Sequence, residues 1–166
     1  GTFSWAYVLP YIVAQMLGGF FGAVLVYAFY KDHYDATDDP STKLATFCTI
    51  PAIRNYGRNL FCEILGTVVL VFVILVLATE SNTPEVGMGS LGAFPVAMLI
   101  VALGMSLGGT TGYAINPARD LAPRLAHAVL PIRGKGSNDW AYSWVPVLGP
   151  IIGGFLAAGL YCLICC

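Results

Sequence analysis

Hydrophobic and polar positions along this chain of 166 residues fall into long blocks rather than short alternations. Trp5 to Tyr30 carries no charged residue. At about 26 residues it can cross a hydrocarbon core of about 30 Å with some tilt. Trp5 and Tyr7 at one end, and Tyr27 and Tyr30 at the other, are placed like the aromatic belts of two membrane interfaces. Leu60 to Thr79 reads as a second span that holds one charge, Glu63. Val86 to Ala118 is again free of charge, and one span takes about 20 of those residues, roughly 91–109. Trp140 to Cys166 closes the chain with a fourth span, about 140–164, opening on Trp140, Tyr142 and Trp144. Glycines recur inside these blocks at Gly18, Gly19 and Gly22, at Gly104 and Gly108, and at Gly149, Gly153 and Gly154. Such spacings let helices approach closely. Gln15 is the polar exception in the first span and reads either as a pore group or as a helix–helix contact.

The connections differ in character. Lys31 to Arg58 is long and polar, with Asp32, Asp35, Asp38 and Asp39 near its start. These acids lack the ligand order and turn glycine of a calcium loop, so the segment reads as solvated. Its later part, Leu44 to Pro51, regains apolar character and is expected to fold back onto the membrane mouth. Glu80 to Gly89 reads as a short turn and Pro131 to Asp139 as a polar loop.

A fifth element begins where the third span ends. Thr110 to Ile115 leads to Asn116, which stands as a helix N-cap, with Pro117 at the first helical position. The helix this opens, 116–130, is roughly 15 residues or 22 Å long at 1.5 Å per residue. It is too short to cross the membrane, and it carries Arg119 and Asp120 in its first turn. Irregular backbone at membrane depth is tolerated only where it is buried in protein or lines a polar cavity. The pattern therefore points to a pore or a binding site.

Composition narrows the class. Mean hydropathy is +0.75, and 57% of residues are apolar against 10% charged, far below the usual quarter. The chain is an all-α polytopic membrane protein by this reading. A net charge of −1 gives no basic field for nucleic acid. The two His and five Cys form no zinc spacing, so neither metal nor cofactor is expected. Cys162-x-x-Cys165 reads as a redox pair or as lipid-facing; no βαβ pattern accompanies it. No nucleophile, base or metal cluster lies within the spans, which argues against an enzyme. Glu63 leaves two readings open: a functional ionisable group inside the membrane, or an interfacial residue near the span end. No signal peptide is visible; the chain opens on Gly1 directly into a span, so an upstream part is expected.

Asn116-Pro117-Ala118 opening a half-helix, with Arg119 two residues after the proline, resembles the second signature of the major intrinsic proteins, the aquaporins and glycerol facilitators. Asp120, Arg124, Pro146 and Val147 resemble the glycerol-facilitator branch, where water-specific members carry Ser, a small residue and an aromatic pair. Ala45 to Pro51 resembles the facilitators' third connecting loop, with Ile50 where Tyr is frequent. Gly1 to Ser4 resembles the residues that follow the family's first half-helix. The resemblance implies an aquaporin-like inverted-repeat bundle. Residues 1–166 would be its third to sixth spans, four full spans and one re-entrant half-helix, without the first two spans and the first Asn-Pro-Ala motif. It further implies a homotetramer in the plasma membrane. The implied function is a passive channel for glycerol, other small polyols and water that excludes ions and protons. In that scheme Arg119 and Tyr113 form the selectivity filter, and the carbonyls of Gly112, Tyr113, Ala114 and Ile115 replace hydration. Asn116 donates, Leu70 and Ile100 form the apolar wall, and Glu63 holds the loop. Leu70 and Ile100 also fit lipid-facing or core positions. Asp120 and Arg124 are expected to pair with each other, and His127 to be interfacial. A strictly water-selective channel and an ion-coupled transporter are the competing readings; the latter would have only Glu63 as its ion site. Counting Lys and Arg places the long loop in the cytoplasm, whereas the family places it outside.

Overall fold

The computed structural model describes residues 3–79 and 82–165. Gly1 and Thr2 of the opening stretch, Glu80 at the start of the short turn, and Cys166 lie outside the described residues. Ser4 caps a 3-10 turn at Trp5–Tyr7, its hydroxyl accepting from Ala6 N at 3.3 Å. Helix α1 (Val8–Phe29) follows without a break. The long connection holds two short helices, α2 (Lys31–Ala36) and α3 (Pro40–Ala45). Asp39 starts α3 by accepting from Ser41 N and Thr42 N at 3.1 and 3.0 Å, with Pro40 in the first turn. Helix α4 (Tyr56–Leu77) begins at Asn55, whose side chain accepts from Arg58 N. A 3-10 turn, Gly87–Leu91, precedes α5 (Phe94–Thr111), which ends on the left-handed Gly112 at φ +79°. Helix α6 (Pro117–Val129) is the half-length element and α7 (Trp144–Cys165) the last. Helices α1, α4, α5 and α7 are long and apolar enough to cross a membrane.

Glycines decide where backbones meet. A Cβ on Gly149 would lie 2.5 Å from Glu63 Cβ, and one on Gly153 would lie 2.7 Å from Thr67 Cβ. Helix α7 therefore lies directly against α4. Gly19 brings α1 onto α6, with a Cβ there 3.0 Å from Ala122 Cβ. Gly18, Gly22 and Gly154 have open space beside them among the described residues.

Three sequence expectations are corrected here. In the long connection the four acids are exposed, and the buried Leu44, Phe47, Cys48, Thr49 and Pro51 fall in the stretch expected to fold back, but Lys43 of its polar part is buried as well. The Lys43 ammonium is held there by the carbonyl of Arg133. Tyr27 is not part of an interfacial belt. It turns inward, packs on Tyr34 at 5.3 Å between ring centroids, and donates to Pro131 O at 3.3 Å. His127 is not interfacial either. It is fully buried beside Phe47, with Nδ1 2.7 Å from Asn138 Oδ1. Lys43, Tyr27 and the Nδ1 of His127 each find a polar partner in the loop that follows α6, which offsets the cost of burying them, whereas His127 Nε2 is buried without a hydrogen-bond partner among the described residues.

Candidate functional site: a re-entrant loop and its half-helix

The site begins at Gly112. Its left-handed conformation stops α5, and Tyr113 and Ile115 follow with φ of +40° and +43°. Left-handed φ is unfavourable for side chains beyond glycine and persists only where the surroundings enforce it. Glu63 is the enforcing group. Its carboxylate, 1% exposed, accepts from Ala114 N at 3.0 Å and Ile115 N at 2.8 Å. Gly66, one turn on, leaves room for Ile115, whose Cγ2 would be 3.1 Å from a Cβ there. The loop thus stays open, and among the described residues the carbonyls of Gly112, Tyr113, Ala114 and Ile115 accept no hydrogen bond.

Asn116 turns this loop into α6. Its side-chain oxygen accepts from Ala118 N at 2.9 Å, capping the helix. With the amide oxygen so used, the amide nitrogen is left as the outward donor. One contact goes to Gln15 Oε1 at 3.4 Å, which makes Gln15 a partner of the half-helix N-terminus. Pro117 occupies the first turn, where no N–H is stranded.

Arg119 is exposed, and among the described residues it forms no ion pair. Its guanidinium lies 6.0 Å from the centroid of the Tyr113 ring. The structure therefore brings together Tyr113, Arg119, the four carbonyls and the Asn116 amide. Leu70 is half-buried, one helical turn beyond Gly66; Ile100 is exposed, one turn before Gly104 on the α5 face that carries Tyr113. Pro146 is buried and Val147 half-buried in the first turn of α7.

Asp120 and Arg124 are each fully buried and pair with each other. Asp120 Oδ1 accepts from Thr49 N and Oγ1, both at 2.7 Å. Arg124 Nε and Nη2 donate to Asp120 at 2.9 and 3.0 Å. The remaining donors reach Thr49 O, Asn138 O and Asp139 O at 3.1, 2.8 and 3.0 Å. Every guanidinium N–H is used. The pair clamps both long loops onto α6, and Thr49 also packs against Gly112. At the far end Lys135 Nζ donates to the carbonyls of His127, Ala128 and Leu130 at 2.7–2.9 Å. A cation on the last carbonyls of a helix satisfies groups that have no intrahelical partner. Thr49, Asn138 and Lys135 are site-building residues that the sequence reading missed. Lys135 alone carried a signal, a cation just past a predicted helix end.

Three comparisons bear on this arrangement. The family model described as "Major intrinsic protein" matches residues 1–161. A "Probable glycerol uptake facilitator protein" of Thermotoga maritima is 55% identical over 161 residues, 97% of this chain and 67% of the relative. The "Glycerol uptake facilitator protein" of Bacillus subtilis is 52% identical over 97% of this chain and 57% of its own length. Among solved structures, the aquaglyceroporin from Plasmodium falciparum matches with a TM-score of 0.83 and 28% identity, covering 99% of this chain and 66% of that one. The chain thus spans from just over half to about two thirds of the length of these relatives.

Proposed function

Starting from the fact that this chain belongs to the major intrinsic protein family, we propose that the complete protein is a passive channel for glycerol, other small uncharged polyols and water. It is an integral membrane protein and a channel, not an enzyme. The observation that carries the substrate reading is the row of unpartnered carbonyls at Gly112–Ile115 beside the Asn116 amide and the exposed Arg119. A polyol that enters a narrow pore sheds water, and its hydroxyls need replacement partners. Carbonyls accept from them, while Asn116 and Arg119 donate to them. The apolar faces at Leu70 and Ile100 then serve the CH groups. Ions lose more hydration than such a lining returns. Arg119 and the positive end of α6 oppose cations and hydronium.

The ion-coupled alternative needs an ionisable group free to bind its ion. Both oxygens of Glu63 are already engaged by the loop, which disfavours that reading. The relatives' greater length supports a further segment, carrying a second half-helix, that meets α6 at Asn116. Its seat is the groove of about 460 Å³ lined by Thr67, Val71, Ile115, Asn116, Pro117 and Phe155. We assign the complete protein to the plasma membrane as a homotetramer.

The test uses the complete protein in liposomes. Stopped-flow light scattering reads solute flux, and an internal pH dye reads protons. Wild type should pass glycerol and stay proton-tight. Arg119→Val should admit protons or small cations. Tyr113→Ala should admit longer polyols without them. A proton-tight Arg119→Val alongside a leaking Tyr113→Ala would overturn the role assignment, and a wild type without glycerol flux would overturn the function.

A further inference from the structure

Gly104 and Gly108 read in the sequence as a face for a neighbouring helix, yet the structure lays the Tyr113 ring over both. A Cβ on Gly104 would meet Tyr113 Cζ at 3.0 Å and the hydroxyl at 3.1 Å. A Cβ on Gly108 would meet Cδ1 at 2.7 Å and Cε1 at 3.2 Å. Carbon atoms rest at about 3.5–4.0 Å, so a methyl at 108 demands roughly 1 Å of movement. The helical backbone of α5 blocks one direction. The root of Tyr113 is fixed, because Gly112 ends α5 and Ala114 N is held by Glu63. The Arg119 guanidinium lies 6.0 Å from the ring centroid. The ring can therefore move only off α5, into the space it shares with Arg119.

We propose that Gly108 is a specificity-determining positioning residue. By leaving α5 bare beneath Tyr113 Cδ1, it seats the ring against the helix and sets the gap between Tyr113 and Arg119. It touches no solute and acts through Tyr113. The inference rests on the channel reading above. Its contact is near the base of the ring, where a small displacement moves the whole aromatic face; the Gly104 contact is at the hydroxyl end.

The test compares five forms of the complete channel in liposomes: wild type, Gly108→Ala, Tyr113→Ala, the double variant, and Gly109→Ala. Gly109 is the control, since a Cβ there has nothing within 4 Å among the described residues. Glycerol and water permeability are read on the same vesicles. Gly108→Ala should lower the glycerol-to-water ratio about tenfold or more, because narrowing acts on the larger solute first. Gly109→Ala should leave the ratio unchanged. In the Tyr113→Ala background the Gly108 substitution should have no effect. A wild type that passes no glycerol overturns the channel reading and this inference together. A conducting wild type with an unchanged ratio in Gly108→Ala overturns the inference alone. Should Gly108→Ala fail to assemble, the double variant decides. Restored assembly and flux support the seat, whereas continued failure means that Gly108 serves another neighbour and the assignment is wrong.

Discussion

Replacing Arg124 by Met keeps the apolar stem and removes the clamp. Asp120, fully buried, loses the two bonds at 2.9 and 3.0 Å and keeps only those from Thr49. The carbonyls of Thr49, Asn138 and Asp139 lose their donor. Breaking a buried ion pair by removing one partner costs about 3–5 kcal/mol. For a domain of this size that is a melting shift of about 6–20 °C, at 2–4 °C per kcal/mol. Asp120→Asn should cost about 2–4 kcal/mol, since the arginine keeps its three carbonyl partners. Once either charge is gone, removing the other relieves an uncompensated ion. The double variant should therefore cost about 2–3 kcal/mol less than the sum of the single variants. Thermal unfolding of the complete protein in detergent, followed by fluorescence-detected size exclusion, gives all four corners of the cycle. Additive single effects, or an Arg124→Met that melts with wild type, would refute the view of this pair as one mutually dependent clamp.

Glu63→Gln should lower yield and melting temperature more than it alters solute preference. The amide keeps one acceptor and points a donor at a buried backbone N–H, a loss of about 2–3 kcal/mol for a charge-assisted bond. Normal yield with changed selectivity would contradict this. Cys48 offers a pH test. Burial pushes its thiol from 9.0 up to about 12. The folded chain therefore keeps this proton where the unfolded chain loses it, and the contribution to stability is full below pH 9 and falls away as pH rises toward 12. At pH 8 maleimide should label Cys48 only after denaturation; rapid labelling of the folded protein would show that the loop opens.

The apolar helices and the half-helix start were legible because their signals are local. A charge-free run, a capping Asn and a Pro in the first turn are all read within a few residues. What holds the site together was not local. Glu63 meets Ala114 across 51 positions, and Thr49 meets Asp120 across 71. Hydropathy sees Lys43 as a loop cation, since it does not register the Arg133 carbonyl that receives it. Small-residue spacing at Gly104 and Gly108 reads as a face for another helix. The pattern could not say that an aromatic ring of the same chain, turned back where Gly112 and Tyr113 take left-handed φ, would fill the space. The Asp120–Arg124 pair was visible as an i,i+4 spacing, but its saturation by two distant loops was not.

The clamp between Thr49 and Asp120 also bears on how the protein is made. Helix α6 carries Arg119, Asp120, Arg124 and His127 within its first three turns, so hydropathy gives it no drive to leave water during synthesis. Glu63, which holds the loop before α6 at Ala114, and Thr49, which bonds α6 at Asp120, are made 51 and 71 residues before these partners. At about 5–20 residues per second, Thr49 waits roughly 4–14 s for its partner. Until Asp120 is made, the Thr49 amide and hydroxyl lack the carboxylate that receives them in the folded chain, so the loop carrying Thr49 is secured only after α6 has been synthesised.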